Sequence, residues 1–501
     1  MSTKTAGNKK DSKTRMKTAS KNPLLYQVNT RVYLTELQKQ FACQASLDDI
    51  PDSFFDDLLQ QGFDWVYFLS VWQTGEAGKL ISCNHPGWRE GFLVDLLDLE
   101  DNDICGSGFA ITDYCLNKAF GAPEALSRLH QRLNKRGLRL MLDLVPNHTA
   151  IDHNWTITHP EYYISGDEEA IANAPQNFIR IGETILAHGR DPYFDGWPDT
   201  LQLDLGSSDL QKAMQAEIGK IANYCDGLRC DMAMLILPDV FKNTWSIEIE
   251  PFWNDAIQTV KKEHPDFLFM AEVYWDREWD LQQQGFDYTY DKRLYDRLRQ
   301  GQARPVREHF LAELDYQMAS ARFLENHDEP RAAGVFSISQ HKAAAVLTFL
   351  SPGLRFVHQG QLEGFKKRVS VHLRRRPVEE ADMEISRFYE SLLGCCNLPA
   401  IRNGNWKLLN CARAWEDNWT SDCFIAFFFR EVTTDKKAIV IVNYSNNQSQ
   451  CRLTYPGCEK NGQLNLIFSG REKRTPLEID EDGRTSLFVD LSAWDFMVLC
   501  C

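Results

Sequence analysis

A chain of 501 residues with 43% hydrophobic and 25% charged residues is long enough for more than one hydrophobic core, either about three domains or one large barrel with additions. No uninterrupted apolar run reaches the roughly 18 residues of a membrane span. A net charge of −15 repels nucleic acid and acidic lipid surfaces, so neither is an expected partner and a neutral substrate is easier to accommodate.

Residues 1–22 carry seven basic side chains against Asp11 alone, with almost nothing apolar to bury, and read as a disordered basic tail. No apolar segment of a secretory signal follows, so the expected compartment is the cytoplasm. The 14 cysteines include no CxxC pairs with zinc or redox spacing and are expected to be reduced and mostly buried.

From residue 23 to about 400, short apolar runs alternate with longer amphipathic stretches, the pattern of βαβα architecture. The expected strands are LYQVNTRVYL from Leu25, DWVYFLSV from Asp64, GLRLMLDLV from Gly137, DGLRCDMAM from Asp226, DFLFMAEVYW from Asp266, DYTYD from Asp287, SARFLENH from Ser320 and GLRFVHQGQ from Gly353. Eight strands would close a parallel barrel, although a doubly wound open sheet alternates in the same way. Between them, Pro123 suits the first turn of a helix with Leu126, Leu129 and Leu133 on its core face and Gly137 beyond its end. Ser207 or Ser208 can cap a helix whose face is Leu210, Met214, Ile218 and Ile221.

The connection after the third strand, residues 149–205, is rich in Trp, Tyr, His and Pro without helical periodicity and reads as an inserted subdomain. The barrel would occupy 23–148 and 206–400. From 401 to 501 the alternating runs FIAFFFRE, KAIVIVNYS, QCRLTY, LNLIFSG, TSLFVDL and DFMVLC predict an antiparallel β-sandwich.

In a parallel barrel the reactive groups project from the C-terminal strand ends. Four apolar runs end in polar residues: Asp143, Asn147 and His148; Arg229 and Asp231; Glu272; and Asn326, His327 and Asp328. The separation of 41 residues between Asp231 and Glu272 is about one βα unit, and 56 between Glu272 and Asp328 leaves room for the sixth strand. Three carboxylates with imidazoles, and no HExxH, suit glycosidic cleavage, which needs an ionised nucleophile and a protonated acid roughly 5–5.5 Å apart for retention. Arg229, on the same side of its strand as Asp231, would keep that carboxylate ionised; Glu272, closing an apolar run, would hold its proton.

DLVPNH, GLRCDMAM, AEVYW and ENHD, in this order, resemble the four signature segments of the α-amylase family of glycoside hydrolases and transglycosidases. The resemblance extends over the insert and the C-terminal sandwich, and implies a (β/α)8 barrel acting on a short α-glucoside or oligosaccharide with retention. It makes Asp231 the nucleophile, Glu272 the acid/base and Asp328 the carboxylate that grips the distorted sugar. His148 and His327 would donate to sugar hydroxyls, and Phe109 stands where the family usually stacks a Tyr. Arg331, in the NHDEPR form, is closer to oligosaccharide-acting members.

Departures from the family pattern leave alternatives open. Met234 and Leu235 replace the Lys-His pair of starch-cleaving amylases, and Ala110 replaces the Asp of many exo-acting α-glucosidases. A transglycosidase, isomerase or phosphorylase, or a non-catalytic carbohydrate-binding protein, are the competing readings. Asn147 is a calcium ligand in many relatives, but the insert holds no supporting acidic cluster, so no metal and no cofactor is assigned. The basic run FKKRVSVHLRRRP from Phe365 is either a solvated loop or an anion-recognising one. Asp143 is as much a structural acceptor as a catalytic candidate. Trp155, Trp197, Trp253 and Trp279 are read as core or lid packing.

Overall fold

The structure is a computed structural model and describes residues 20–455, 464–470 and 486–500. Most of the expected basic tail lies outside the described residues. Eight parallel strands close a barrel: β1 Leu24–Asn29, β2 Trp65–Leu69, β3 Arg139–Leu144, β4 Gly227–Cys230, β5 Leu268–Ala271, β6 Tyr288–Tyr290, β7 Ser320–Phe323 and β8 Leu354–His358. Each neighbours the next and β8 returns to β1, which settles the choice between barrel and open sheet. Both faces of these strands are covered, which is why they read as unbroken apolar runs.

Strand β1 is shorter than its apolar run predicts. It stops at Asn29, whose side chain accepts from the Val32 amide and caps the helix Thr30–Phe41, so Val32 and Leu34 are buried on a helix. The helix expected after Pro123 starts at Ala125, outside the proline, and buries Leu126, Leu129 and Leu133 as its spacing requires. Ser207 caps the helix Ser208–Ile221 through the Leu210 amide.

Inside the barrel the rings of Tyr290, Phe323 and Phe356 meet at 5.2–6.1 Å between centroids. On the outer face of β7, buried Arg322 reaches Asp291 Oδ2 at 3.0 Å, and His309 faces the same oxygen at 2.9 Å. This buried charge is therefore compensated on both sides.

Two excursions rise from the C-terminal ends of the strands. One, after β3, is the expected insert: a three-stranded antiparallel sheet of Ser165–Gly166, Thr184–Ala187 and Phe178–Ile181, with Thr200–Gln202 pairing against His148–Ala150 at its base. The other, between β2 and β3, was not anticipated. It pairs Trp72–Thr74 with Ile111–Leu116 and carries the helices Glu76–Asn84 and Pro86–Asp95, so the chain departs from the barrel here as well.

After helices Met383–Cys396 and Pro399–Asn403, five strands in the order 405–409, 424–430, 437–443, 496–500, 465–469 form one sheet, and 411–412, 449–454 and 486–491 form another. All six expected C-terminal runs are strands. Phe427 packs on Phe310 at 4.8 Å and the Tyr444 hydroxyl donates to the Leu298 carbonyl at 2.6 Å, fixing these sheets to the barrel. No helix among the described residues is long and apolar enough to cross a membrane.

Candidate functional site

Strand register alone assembles the centre of the site. Arg229 on β4 pairs with Asp143 on β3, and Cys230 pairs with Ala271 on β5, which brings Asp231 and Glu272, one residue beyond, level with each other. Because side chains alternate, Arg229 and Asp231 share the inner face. The Arg229 guanidinium, 0% exposed, lies 2.7 Å from Asp231 Oδ1 through Nη1, 2.8 Å from Glu272 Oε2 through Nη2 and 3.7 Å from Asp143 Oδ1.

One buried cation thus faces three buried carboxyls. They cannot all be ionised without leaving uncompensated charge in a low-dielectric site, so the centre is built to retain a proton. Burial raises the carboxyl pKa of both Glu272 and Asp231, with Arg229 opposing the rise at each. Burial pushes Asp143 up to about 6. Asp143 is also spoken for: it accepts from the Tyr67 hydroxyl and, at 2.7 Å, from the Ser70 amide, which ties the end of β3 to that of β2.

Glu272 is held at both oxygens. Tyr274, two residues on, donates its hydroxyl to Oε1 at 2.8 Å, and the Met232 amide donates to Oε2 at 2.7 Å. Met232 reaches that position through a left-handed backbone, φ 44°, which a side chain with a Cβ adopts at a cost. The chain therefore turns sharply after Asp231 so that its own amide orients the neighbouring carboxyl. Met234 and Leu235 follow in a buried turn of Ala233–Ile236 and present no polar group.

The loop after β7 supplies the third carboxyl. Asn326 Oδ1 accepts from the Asp328 and Glu329 amides, both at 2.9 Å, and shapes the turn. Asp328 is the open member of the trio, its side chain 42% exposed against 8% for Asp231 and 4% for Glu272. His327 Nε2 lies 3.0 Å from Asp328 Oδ2, and its Nδ1 lies 3.0 Å from Gln27 Nε2, while Gln27 Oε1 faces His358 Nδ1 at 2.7 Å. The Gln27 amide N–H directed at Nδ1 leaves the His327 proton on Nε2, which makes no hydrogen bond of its own among the described residues. Burial lowers His327 to about 4, so the ring is neutral.

The Phe109 ring stacks on His327 at 5.4 Å and has the Arg229 guanidinium over its face at 5.1 Å. His148, lowered by burial to about 3, packs edge-on against Trp197 of the insert at 5.2 Å. Arg331 does not join this cluster. It pairs with Glu325 at 2.8 Å and donates to the Gln359 carbonyl at 2.9 Å, bracing the loop from behind. Its guanidinium is committed to that support. Tyr274 and Gln27 are the functional neighbours that sequence reading did not single out. Tyr274 could have been found from its i+2 spacing to Glu272, whereas Gln27 lies 300 residues from its partner.

The residues around Asn147 do not suit a calcium ion. Asn147 Oδ1 accepts from Gln202 Nε2 at 2.9 Å and Asn147 Nδ2 donates to Gln202 Oε1 at 3.2 Å, a reciprocal pair that engages both carboxamide oxygens a hard dication would otherwise take as ligands. Among the described residues no group of three His, Cys, Asp or Glu is placed to hold a metal.

Residues 98–391 match the family model of the α-amylase catalytic domain. Alpha-amylase 3 of Dictyoglomus thermophilum is 25% identical over 290 residues, covering 52% of this chain and 54% of that protein. An oligo-1,6-glucosidase of Bacillus cereus is 42% identical over 52 residues, 10% of this chain and 9% of that one. The chain thus spans about half or less of the length of these curated relatives. In fold, a noncanonic maltogenic α-amylase from Thermotoga neapolitana superposes with a TM-score of 0.67 at 19% identity, over 96% of this chain and 99% of that one. By its catalytic-domain match over more than half its length, the chain belongs to the α-amylase family.

Proposed function

We propose that this protein is a retaining α-glycosidase of short α-glucosides, with Asp231 as nucleophile and Glu272 as acid/base. The observation that carries the reading is the single Arg229 guanidinium shared between these two carboxyls at 2.7 and 2.8 Å. Asp231, which accepts a 2.7 Å hydrogen bond from Arg229 Nη1, is the group left ionised. Glu272 retains the proton.

In the first step an Asp231 oxygen bonds to the anomeric carbon as the glycosidic C–O bond breaks, and the Glu272 proton passes to the leaving oxygen. The ester formed is then attacked by water, Glu272 taking the water proton and Asp231 leaving as carboxylate. Asp328, open to the cleft, accepts from the ring hydroxyls of the flattened, partly cationic sugar, and neutral His327 and His148 serve hydroxyls beside it. Phe109 packs the apolar face of the ring. The buried Met234 and Leu235 offer no polar grip on a long glucan, and the oligo-1,6-glucosidase among the relatives acts on short chains by its name, which together favour small substrates.

Incubation with maltooligosaccharides, isomaltose, sucrose and trehalose tests the reading. Hydrolysis of at least one with retained configuration, abolished in Asp231→Asn, is expected. No release from any of them, or equal release by the variant, overturns it.

A further inference from the structure

A second hollow lies away from the catalytic carboxyls, between the helix Thr30–Phe41 and the excursion that follows β2. Its volume is about 660 Å³, the size of a small-ligand site. Arg31, Lys79 and Arg374 line it, from three separate segments, together with the amides of Gln38, Gln73 and Asn117.

The charges there are out of balance. None of the three cations ion-pairs with a carboxylate among the described residues, although the protein carries a net charge of −15. The contrast within the run Arg374, Arg375 and Arg376 is sharp: Arg375 is taken by Asp98 and Asp103, and Arg376 by Glu36, while Arg374 turns to neutral Gln38 at 2.7 Å. Arg31 is only 6% exposed and bonds to neutral partners alone. Buried guanidinium groups are ordinarily matched by an anion. The lone carboxylate of the lining, Glu76, is exposed.

We infer that this cleft is a second, non-catalytic binding site for a small phosphorylated polyol such as a sugar phosphate. Arg31, Lys79 and Arg374 take the phosphate, and the Gln38 carboxamide meets a hydroxyl, whereas those of Gln73 and Asn117 are bonded at both atoms within the protein and shape the wall. The basic run after β8 thus divides its work: two arginines brace the structure and Arg374 serves the ligand. The site also touches the catalytic face through Arg31, whose Nη1 holds the Gly106 carbonyl at 2.5 Å, three residues before Phe109, and the Val371 carbonyl at 3.1 Å, three residues after Arg368. Arg368 in turn donates to the Asp328 carbonyl at 2.9 Å. Occupancy at Arg31 therefore bears on the segments that carry Phe109 and Arg368.

Calorimetric titration of the full chain with glucose 6-phosphate, inorganic phosphate and glucose, at constant ionic strength, tests the site without reference to turnover. Saturable binding of glucose 6-phosphate is expected, competed by inorganic phosphate and not by glucose. Lys79→Gln and Arg374→Gln each weaken it by at least about tenfold, while Lys212→Gln, on the exposed face of the helix Ser208–Ile221, leaves it unchanged. Melting curves identify a variant that fails to fold, and the other then decides. Absence of saturable binding, binding insensitive to both substitutions, or equal competition by glucose overturns the inference. Binding at the catalytic carboxyls falls in the second of these outcomes.

Discussion

Arg229 and Glu272 meet across adjacent strands at 2.8 Å, with the same guanidinium 2.7 Å from Asp231 through its other terminal nitrogen. Lysine offers one ammonium point where this fork serves two carboxyls in fixed directions. Arg229→Lys is therefore expected to lower kcat by at least about 10²-fold, and Arg229→Gln, which leaves buried carboxyls unpaired, to destabilise by about 3–5 kcal/mol. Turnover of the best α-glucoside and urea unfolding measure the two effects. Wild-type turnover in Arg229→Lys would remove Arg229 from the chemistry.

Glu272 has its pKa raised by burial, and its two oxygens are held in place by the Tyr274 hydroxyl and the Met232 amide. Glu272→Gln removes the acid and should slow unactivated α-glucosides by about 10²–10⁴-fold, with a smaller loss for aryl glucosides whose leaving group needs no proton. The alkaline limb of the kcat/KM profile, set by deprotonation of this carboxyl, should vanish in the variant. Equal losses on both kinds of substrate and an unchanged alkaline limb would assign the proton elsewhere.

The parallel strands were legible because burial on two faces leaves no polar alternation to confuse them, and the carboxyls because each closes such a run. Asp231 and Glu272 follow from strand order alone, once register makes Cys230 and Ala271 neighbours. What escaped was tertiary. The helix Pro86–Asp95 leaves Leu93 and Val94 exposed, so its hydrophobic pattern does not mark a core face and the second excursion was invisible. The left-handed Met232 is no turn-former by type, and the His327–Gln27–His358 chain joins residues that only barrel closure brings together.

The Asn147–Gln202 pair joins the end of β3 to the base of the insert through mutual amide bonds. Excess chelator is expected to leave both melting temperature and turnover unchanged. Asn147→Ala strands a buried Gln202 and should cost about 1–3 kcal/mol. Chelation that lowers the melting temperature, restored by calcium, would show that a cation and not this pair holds the insert.

Acid stability gives a test remote from the candidate site. His341 is buried on the helix Ile338–Phe349, its Nε2 2.8 Å from the Tyr389 hydroxyl, and burial lowers its pKa to about 4. A folded-state value below the ordinary one near 6.5 means that the unfolded chain binds the extra proton first. Stability is thus complete above about pH 6.5 and is lost progressively as the pH falls toward 4. Gln can hydrogen-bond to Tyr389 but cannot titrate. Between pH 6.5 and 4 the unfolding free energy of His341→Gln should therefore fall less steeply than that of wild type, by as much as about 1.4 kcal/mol per pH unit, the slope of one proton. Urea melts at half-unit pH steps measure the difference. Parallel curves over this window would mean that His341 keeps its ordinary pKa in the folded protein, and that the Tyr389 contact offsets its desolvation.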